Sequence, residues 1–210
     1  MTSERAERPP LLMASRNKGK LLELTRLLDE IPVDILTLGA FPELPETTED
    51  GQTFFENAAK KAQEAARGSG ILTIADDSGL EVDALGGLPG IHSARFAGEP
   101  ADDTRNNKKL LKLLHDVPPE KRTARFVCVI AVATPGGEVY SAQGQCDGVI
   151  LEEPRGCGGF GYDPLFYIPR LQKTFAELTV EEKNPLSHRG KALQEAVAII
   201  RRLITGRALK

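Results

Sequence analysis

The apolar run at residues 71–75 leads into two adjacent carboxylates, Asp76 and Asp77, followed by Ser78 and Gly79. No other stretch constrains the fold as strongly. A buried strand here has to deliver charge to the rim of a sheet. Two neighbouring acids repel each other and are costly to desolvate unless a cation or a donor sits beside them. Such pairs are kept where they hold a metal or move a proton. In an extended segment their side chains point to opposite faces, so only one faces a cleft squarely. For a hard metal such as Mg²⁺, which takes oxygen ligands and keeps several waters, Asp77 is the first choice of ligand. Asp76 lies beside it, and the acidic loop 46–50 supplies a further candidate. A blander reading has Asp76, Asp77 and Ser78 capping a turn, a common use of these residues at strand ends.

The remaining pattern alternates strands and helices. Strands are expected at residues 11–14, 33–38 and 71–75. A helix is expected from about Lys18 to Pro32, and a second over 53–67, opened by a Thr53–Glu56 capping box and stopped by Gly68 and Gly70. A third helix is expected over 106–115. Residues 125–134 and 138–145 read as strands joined at Pro135-Gly136-Gly137. Thr179 opens a short helix through a second capping box. Ser187 caps the last helix, whose inner face is Leu193, Ala196, Val197, Ile200, Leu203 and Ile204. This order predicts an α/β protein with a mixed sheet. The 210 residues fit one domain, placed at 11–205, with 1–10 as a frayed polar tail.

Charge and cysteine usage narrow the partners. A net charge of −3 gives no broad basic field, so duplex nucleic acid is excluded as a main partner. The three cysteines are odd in number and lack metal-ligand spacing, which suits a reducing compartment. No apolar run is long enough to span a bilayer. A cytoplasmic protein with no membrane partner is expected.

Other candidate groups lie at element junctions. Ser15-Arg16-Asn17-Lys18-Gly19-Lys20 sits between a strand and a helix, where unsatisfied N–H groups and two lysines favour phosphate. Its spacing is not that of a Walker P-loop, and taken alone it reads rather as an ordinary capped helix start with two solvated lysines. Residues 158–164 form a glycine-rich loop in which Phe160 or Tyr162 is suited to stack on a flat heterocycle. The alternative there is a loop with its aromatics tucked into the core. Lys183 and Ser187-His188-Arg189-Gly190-Lys191 place cations at a helix start; alone, they read as surface basic residues. Together the groups describe one ligand with a polyanionic part, a metal and a flat ring.

In order, the chain carries Ser15-x-Asn17-x-x-Lys20, Glu56-Asn57-Ala58-x-x-Lys61-Ala62, Ala75-Asp76-Asp77-Ser78-Gly79-Leu80, Leu85-Gly86-Gly87-x-Pro89-Gly90, Ser93-Ala94-Arg95, Gly159-Phe160-Gly161-Tyr162-Asp163-Pro164 and Ser187-His188-Arg189-Gly190-x-Ala192. This series resembles the non-canonical purine nucleoside triphosphate pyrophosphatases, the XTP/dITP diphosphatase family. The resemblance implies a Mg²⁺-dependent enzyme, usually a homodimer, that hydrolyses ITP, dITP and XTP to the monophosphate and pyrophosphate. It also implies an elongated mixed sheet flanked by helices, in two lobes with a central cleft.

Carried over, Ser15, Arg16, Asn17, Lys18, Gly19 and Lys20 would hold phosphates. Glu49 and Asp77 would bind the metal, and Asp77 would also accept the proton of the attacking water. Lys61 and Ser78 would contact substrate. Phe160, Gly161, Tyr162 and Asp163 would hold the base and sugar, with Lys183, His188 and Arg189 completing the nucleotide site. Glu46 and Asp50 rival Glu49 as the second metal ligand, because the acidic loop departs from the family pattern. Arg16 stands where many relatives have glycine. A reading from another class is a non-catalytic purine nucleotide-binding module. An aspartyl-nucleophile phosphatase is disfavoured, because that chemistry wants Asp-x-Asp.

Overall fold

The computed structural model of the protein describes residues 8–28 and 31–206, without the side chains of Lys18 and Leu27. Its centre is a mixed seven-stranded sheet. β1 (Pro10–Met13) lies between β2 (Asp34–Thr37) and β3 (Leu72–Val82) and runs parallel to both. β4 (Thr123–Ala133), β5 (Val139–Ile150), β6 (Phe166–Ile168) and β7 (Lys173–Thr174) extend the sheet, each antiparallel to the strand before it. Of the tail expected at 1–10, residues 1–7 lie outside the described residues, and Pro10 already pairs with Asp34.

The helices divide between the two faces. α1 (Lys18–Leu28) and α5 (His188–Ile204) pack on one, where Leu24, Leu28, Leu193, Ala196 and Ile200 bury against Ile74, Cys128, Ile130 and Val132. α2 (Phe54–Ser69) packs on the other, laying Ala58, Ala62, Ala65 and Ala66 on Ala75, Val127, Val129 and Ala131. Small side chains at helical spacing let α2 lie close to the sheet. A third cluster joins Leu110 of α3 (Asp103–Leu113) to Leu80, Phe126, Phe166 and Phe175. The short α4 (Val180–Lys183) precedes α5.

Local signals account for most element ends. Thr53 accepts a hydrogen bond from the Glu56 amide at 3.1 Å, and Ser187 accepts one from the Gly190 amide at 3.0 Å. The Thr179 capping box closes in both directions. Some element bounds differ from expectation. Gly68 stays inside α2, and only Gly70, with φ of 70°, stops it. β5 continues five residues past the expected 145, because its partner β4 is long enough to hold it. β6 and β7 were not legible, being two or three residues long.

The largest correction concerns the acid pair. β3 does not end at Asp76; it runs on to Val82, with Asp76 and Asp77 in its middle. The strand that ends is β1. Its last pairings are Met13 with Ile74 and a bond from the Ala14 amide to the Ile74 carbonyl at 2.8 Å. Beyond that point β3 keeps β4 on one side and loses β1 on the other. The rim is therefore a notch beside a continuing strand, at the carboxyl end of a parallel one, where α/β sheets bind ligands.

Candidate active site

A cavity of about 290 Å³ opens at this notch. Its wall includes Ser15, Arg16, Asn17 and Lys20 at one side, Glu49, Lys61 and Asp77 at another, and Phe160, Lys183, His188 and Arg189 at a third. Strand alternation divides the acid pair between the sheet faces, as expected. Asp77 points towards α2. Its carboxylate accepts from Asn57 Nδ2 at 3.1 Å and lies 3.5 Å from Lys61 Nζ. Asn57 and Lys61 are four residues apart on α2, so they share one helix face. Lys61 Nζ also donates to Glu49 Oε1 at 3.1 Å and to the Asp76 carbonyl at 2.7 Å. Three oxygens thus converge on one cation.

That convergence fits a hard divalent metal, for which one or two carboxylates suffice when water and phosphate complete the shell. Among the described residues no group of three His, Cys, Asp or Glu side chains forms a closed metal cage. Of the three rivals in the acidic loop, Glu49 alone shares Lys61 with Asp77. Asp50 instead pairs with Lys60 at 2.6 Å, outside the cavity wall. Glu46 lines the wall and Arg95 reaches Glu49 at 3.5 Å.

Asp76 points the other way, towards α1 and α5. Its Oδ2 lies 2.9 Å from Lys20 Nζ, accepts from Ser78 Oγ at 2.8 Å, and faces Arg189 Nε at 3.5 Å. Arg189 also pairs with Glu23, which pairs with Lys183 at 3.1 Å, which in turn donates to Asp163 at 2.7 Å. Charges alternate without a break from Lys20 through Asp76, Arg189, Glu23 and Lys183 to Asp163. Asp76, Arg189, Lys183 and Asp163 are buried and Lys20 and Glu23 partly so, so each charge depends on its neighbours. The surface reading of Lys183 and Arg189 is thereby replaced. Asp76, a turn cap on the blander reading of the sequence, is a mid-strand link between the two ends of the cavity.

Phe160 stands at the ring end. Its side chain lies over Gly19, where a Cβ would come within 2.7 Å of the ring. The Lys183 and Arg189 cations lie 5.4 and 5.5 Å from its centroid. Tyr162 points into the core instead, donating its hydroxyl to the Ser93 carbonyl at 2.8 Å. His188 is buried and stacks on Phe126 at 4.7 Å. Asp163 closes the turn by accepting from the Phe160 amide at 3.0 Å. Across the cavity, the Gly161 amide donates to Asp103 at 2.7 Å, and Asn107 donates to the Gly161 carbonyl at 2.9 Å.

Electrostatics separates the acids. Burial pushes the Asp77 carboxyl above its ordinary range, beyond what Lys61 and Lys20 restore, and Glu49 adds to the rise. Burial raises Glu49 too, but Lys61, Lys20 and Arg95 outweigh it and hold that group low. Asp76 is held far below the ordinary range despite complete burial, by Lys20, Arg189 and Lys61. Burial, helped by the Arg189 and Lys183 charges, depresses His188, so its imidazole is neutral at pH 7. Two neighbouring carboxylates with environments pushing apart is the pattern of an acid–base site.

The sequence-derived residues converge on one cavity, apart from Asp50, Gly19, which lies beneath Phe160, and Lys18, whose side chain lies outside the described residues. Gly19 contributes by having no side chain, and Asn17 caps α1 by accepting from the Lys20 amide at 3.1 Å. Sequence reasoning missed Glu23, Asp103 and Asn107. Glu23 follows Lys20 by one helical turn, a weak signal that a charge pair belongs there. Asp103 and Asn107 carried no signal beyond being polar on a helix.

A model of the Ham1 family matches residues 11–199. The chain is 58% identical to a dITP/XTP pyrophosphatase of Desulforamulus reducens, covering 92% of this chain and 96% of that one. It is 56% identical to a dITP/XTP pyrophosphatase of Geobacter sulfurreducens, over 87% of this chain and 92% of the other. Among solved structures, a HAM1 protein from Coxiella burnetii superimposes with a TM-score of 0.84 at 40% identity, covering 92% and 99% of the two chains. The dITP/XTP pyrophosphatase from Mycobacterium abscessus gives 0.74 at 45% identity, covering 90% and 98%. The chain belongs to the Ham1 family.

Proposed function

We propose that this protein hydrolyses dITP, XTP and ITP to the nucleoside monophosphate and pyrophosphate, with Mg²⁺ as cofactor. The observation that carries the reading is one cavity with a cation-sharing acid pair, Glu49 and Asp77, at one end and Phe160 flanked by Lys183 and Arg189 at the other. The dITP/XTP pyrophosphatases to which the chain is similar agree with it.

The roles follow from the chemistry. Bound at Glu49 and Asp77, Mg²⁺ would neutralise phosphate charge. Asp77, whose pKa burial raises, takes the proton of the water that attacks the α-phosphorus. Ser15, Arg16, Asn17 and the amides at the start of α1 hold phosphate oxygens. Lys20 and Lys61 offset charge on the departing pyrophosphate. Phe160 stacks on the base, while Gly161, Tyr162 and Asp163 shape the turn that carries it. His188 floors that end, and Ser78 fixes the Arg189 guanidinium, to which its oxygen lies at 3.3 Å.

Base choice rests on donors. Lys183 and Arg189 donate and cannot accept. Hypoxanthine and xanthine offer a 6-oxo acceptor, whereas adenine brings an amino donor and leaves buried donors unpaired. A site of this kind rejects the wrong partner by roughly 10⁴ or more. A purely binding module has no use for a base-like carboxylate beside a second acid. We further propose a cytoplasmic homodimer. The free thiols, two of them buried, suit a reducing compartment, and no helix among the described residues is long and apolar enough to cross a membrane.

The test is direct. The protein is incubated with Mg²⁺ and, separately, ITP, XTP, dITP, ATP, GTP and dUTP, and both products are identified. Monophosphate and pyrophosphate from ITP, XTP and dITP, with ATP, GTP and dUTP spared, are expected. Release of orthophosphate, or tight ITP binding without turnover, overturns the reading.

A further inference from the structure

The loop between β5 and β6 reaches the cavity without a strand to hold it. Its tip, Gly161, has a left-handed φ of 62° and no side chain, so it can be fixed only through its backbone. Both of its backbone groups are taken, and by one helix. Asp103 accepts from the Gly161 amide at 2.7 Å, and Asn107 donates to the Gly161 carbonyl at 2.9 Å. The two side chains are four residues apart on α3 and so share one face. We propose that Asp103 and Asn107 are positioning residues for base recognition, gripping Gly161 from both sides so that Phe160 is held over Gly19. This rests on the reading of Phe160 as the base-stacking residue.

Neighbouring contacts give the grip a reach beyond the turn. Asn106, the next residue along α3, accepts from the Ala97 amide at 2.7 Å and donates to the Ala94 carbonyl at 2.9 Å. Tyr162, next to Gly161, bonds the Ser93 carbonyl. The segment so fastened carries Arg95, which reaches Glu49. One helix therefore sets the base turn and the segment that touches the metal-side acid. The core contribution of α3 comes from Leu110, which is fully buried, while Asp103 is exposed and Asn107 half-buried. Removing either polar side chain leaves that packing intact, so a positioning role separates from a merely structural one.

The variants are Asp103→Ala, Asn107→Ala and Asp103→Asn, the last keeping an acceptor oxygen for the Gly161 amide. Loss of one hydrogen bond at the turn predicts a KM for dITP raised about tenfold in each alanine variant, with kcat within about threefold of wild type. The dITP/ATP ratio of kcat/KM narrows, because a loosened turn discriminates less. Asp103→Asn recovers most of the loss. Amide exchange quickens at residues 158–164 and not in α5. An active wild type whose alanine variants keep KM and the dITP/ATP ratio overturns this inference alone. So does a parallel fall of kcat and melting temperature with KM unmoved. A wild type without dITP turnover overturns the proposed function and this inference with it.

Discussion

Asp77 is placed at a cost to folding, and the cost has a sign. A carboxyl whose folded pKa lies above its ordinary 3.8 favours the fold only while protonated. Its contribution is complete below the unfolded value and is lost as pH rises through the folded one. Asp77→Asn removes the buried charge while keeping the shape that meets Asn57. The metal-free variant should therefore melt at a higher temperature than wild type at pH 8, with the gap closing as pH falls towards 4. The same variant should lose turnover by about 10²–10⁴, the worth of a general base. Added Mg²⁺ should raise the melting temperature of wild type and not of the variant; an equal rise in both would sink Asp77 as a metal ligand. Arg189 presents the opposite case. It is buried between Asp76 and Glu23, so Arg189→Ala takes one cation from each acid and leaves Lys20 on Asp76 and Lys183 on Glu23. A stability loss of about 3–5 kcal/mol is expected in denaturant titration. Base selectivity is better probed with Arg189→Lys, which keeps the charge and loses the planar fork.

At the scale of elements, α5 is the support of the base end, and one glycine sets its height above the sheet. A Cβ at Gly144 of β5 would lie 2.5 Å from the Ala192 amide and collide with the His188 carbonyl. His188 and Arg189 are the first residues of α5, so any lift of the helix moves them. Gly144→Ala should cost about 1–3 kcal/mol in unfolding free energy and raise KM for dITP. A variant of normal stability and KM would mean that α5 is free to shift without disturbing the site. The opposite wall is built the same way. The alanine stripe of α2 brings Asn57 and Lys61 down to Asp77, and Thr53 fixes where that helix begins.

At the scale of the molecule, the cavity exists because β1 stops and β3 does not. That single mismatch exposes the edge of β3 and lets both faces of the sheet contribute to one site. The proposed homodimer is measured by sedimentation, which should give a mass near twice 22.8 kDa; a mass of one chain at micromolar concentration would overturn it. Strands β1 to β5, the helices and the caps were legible in the sequence, because hydrophobic period and capping are properties of neighbouring residues. So was the separation of Asp76 from Asp77, which follows from the alternation of any extended chain. The motif residues of the site were legible through their resemblance to a family. Other features were decided only by the tertiary structure. It alone carried β3 on past the end of β1, turned Asp50 out to Lys60, buried Lys183 and Arg189 against Glu23, and brought Asp103 and Asn107 to Gly161. Lys183 and Glu23 are separated by 160 residues. No local rule relates residues so far apart; only the packing of α1, α4 and α5 around the end of the sheet brings them within hydrogen-bonding distance.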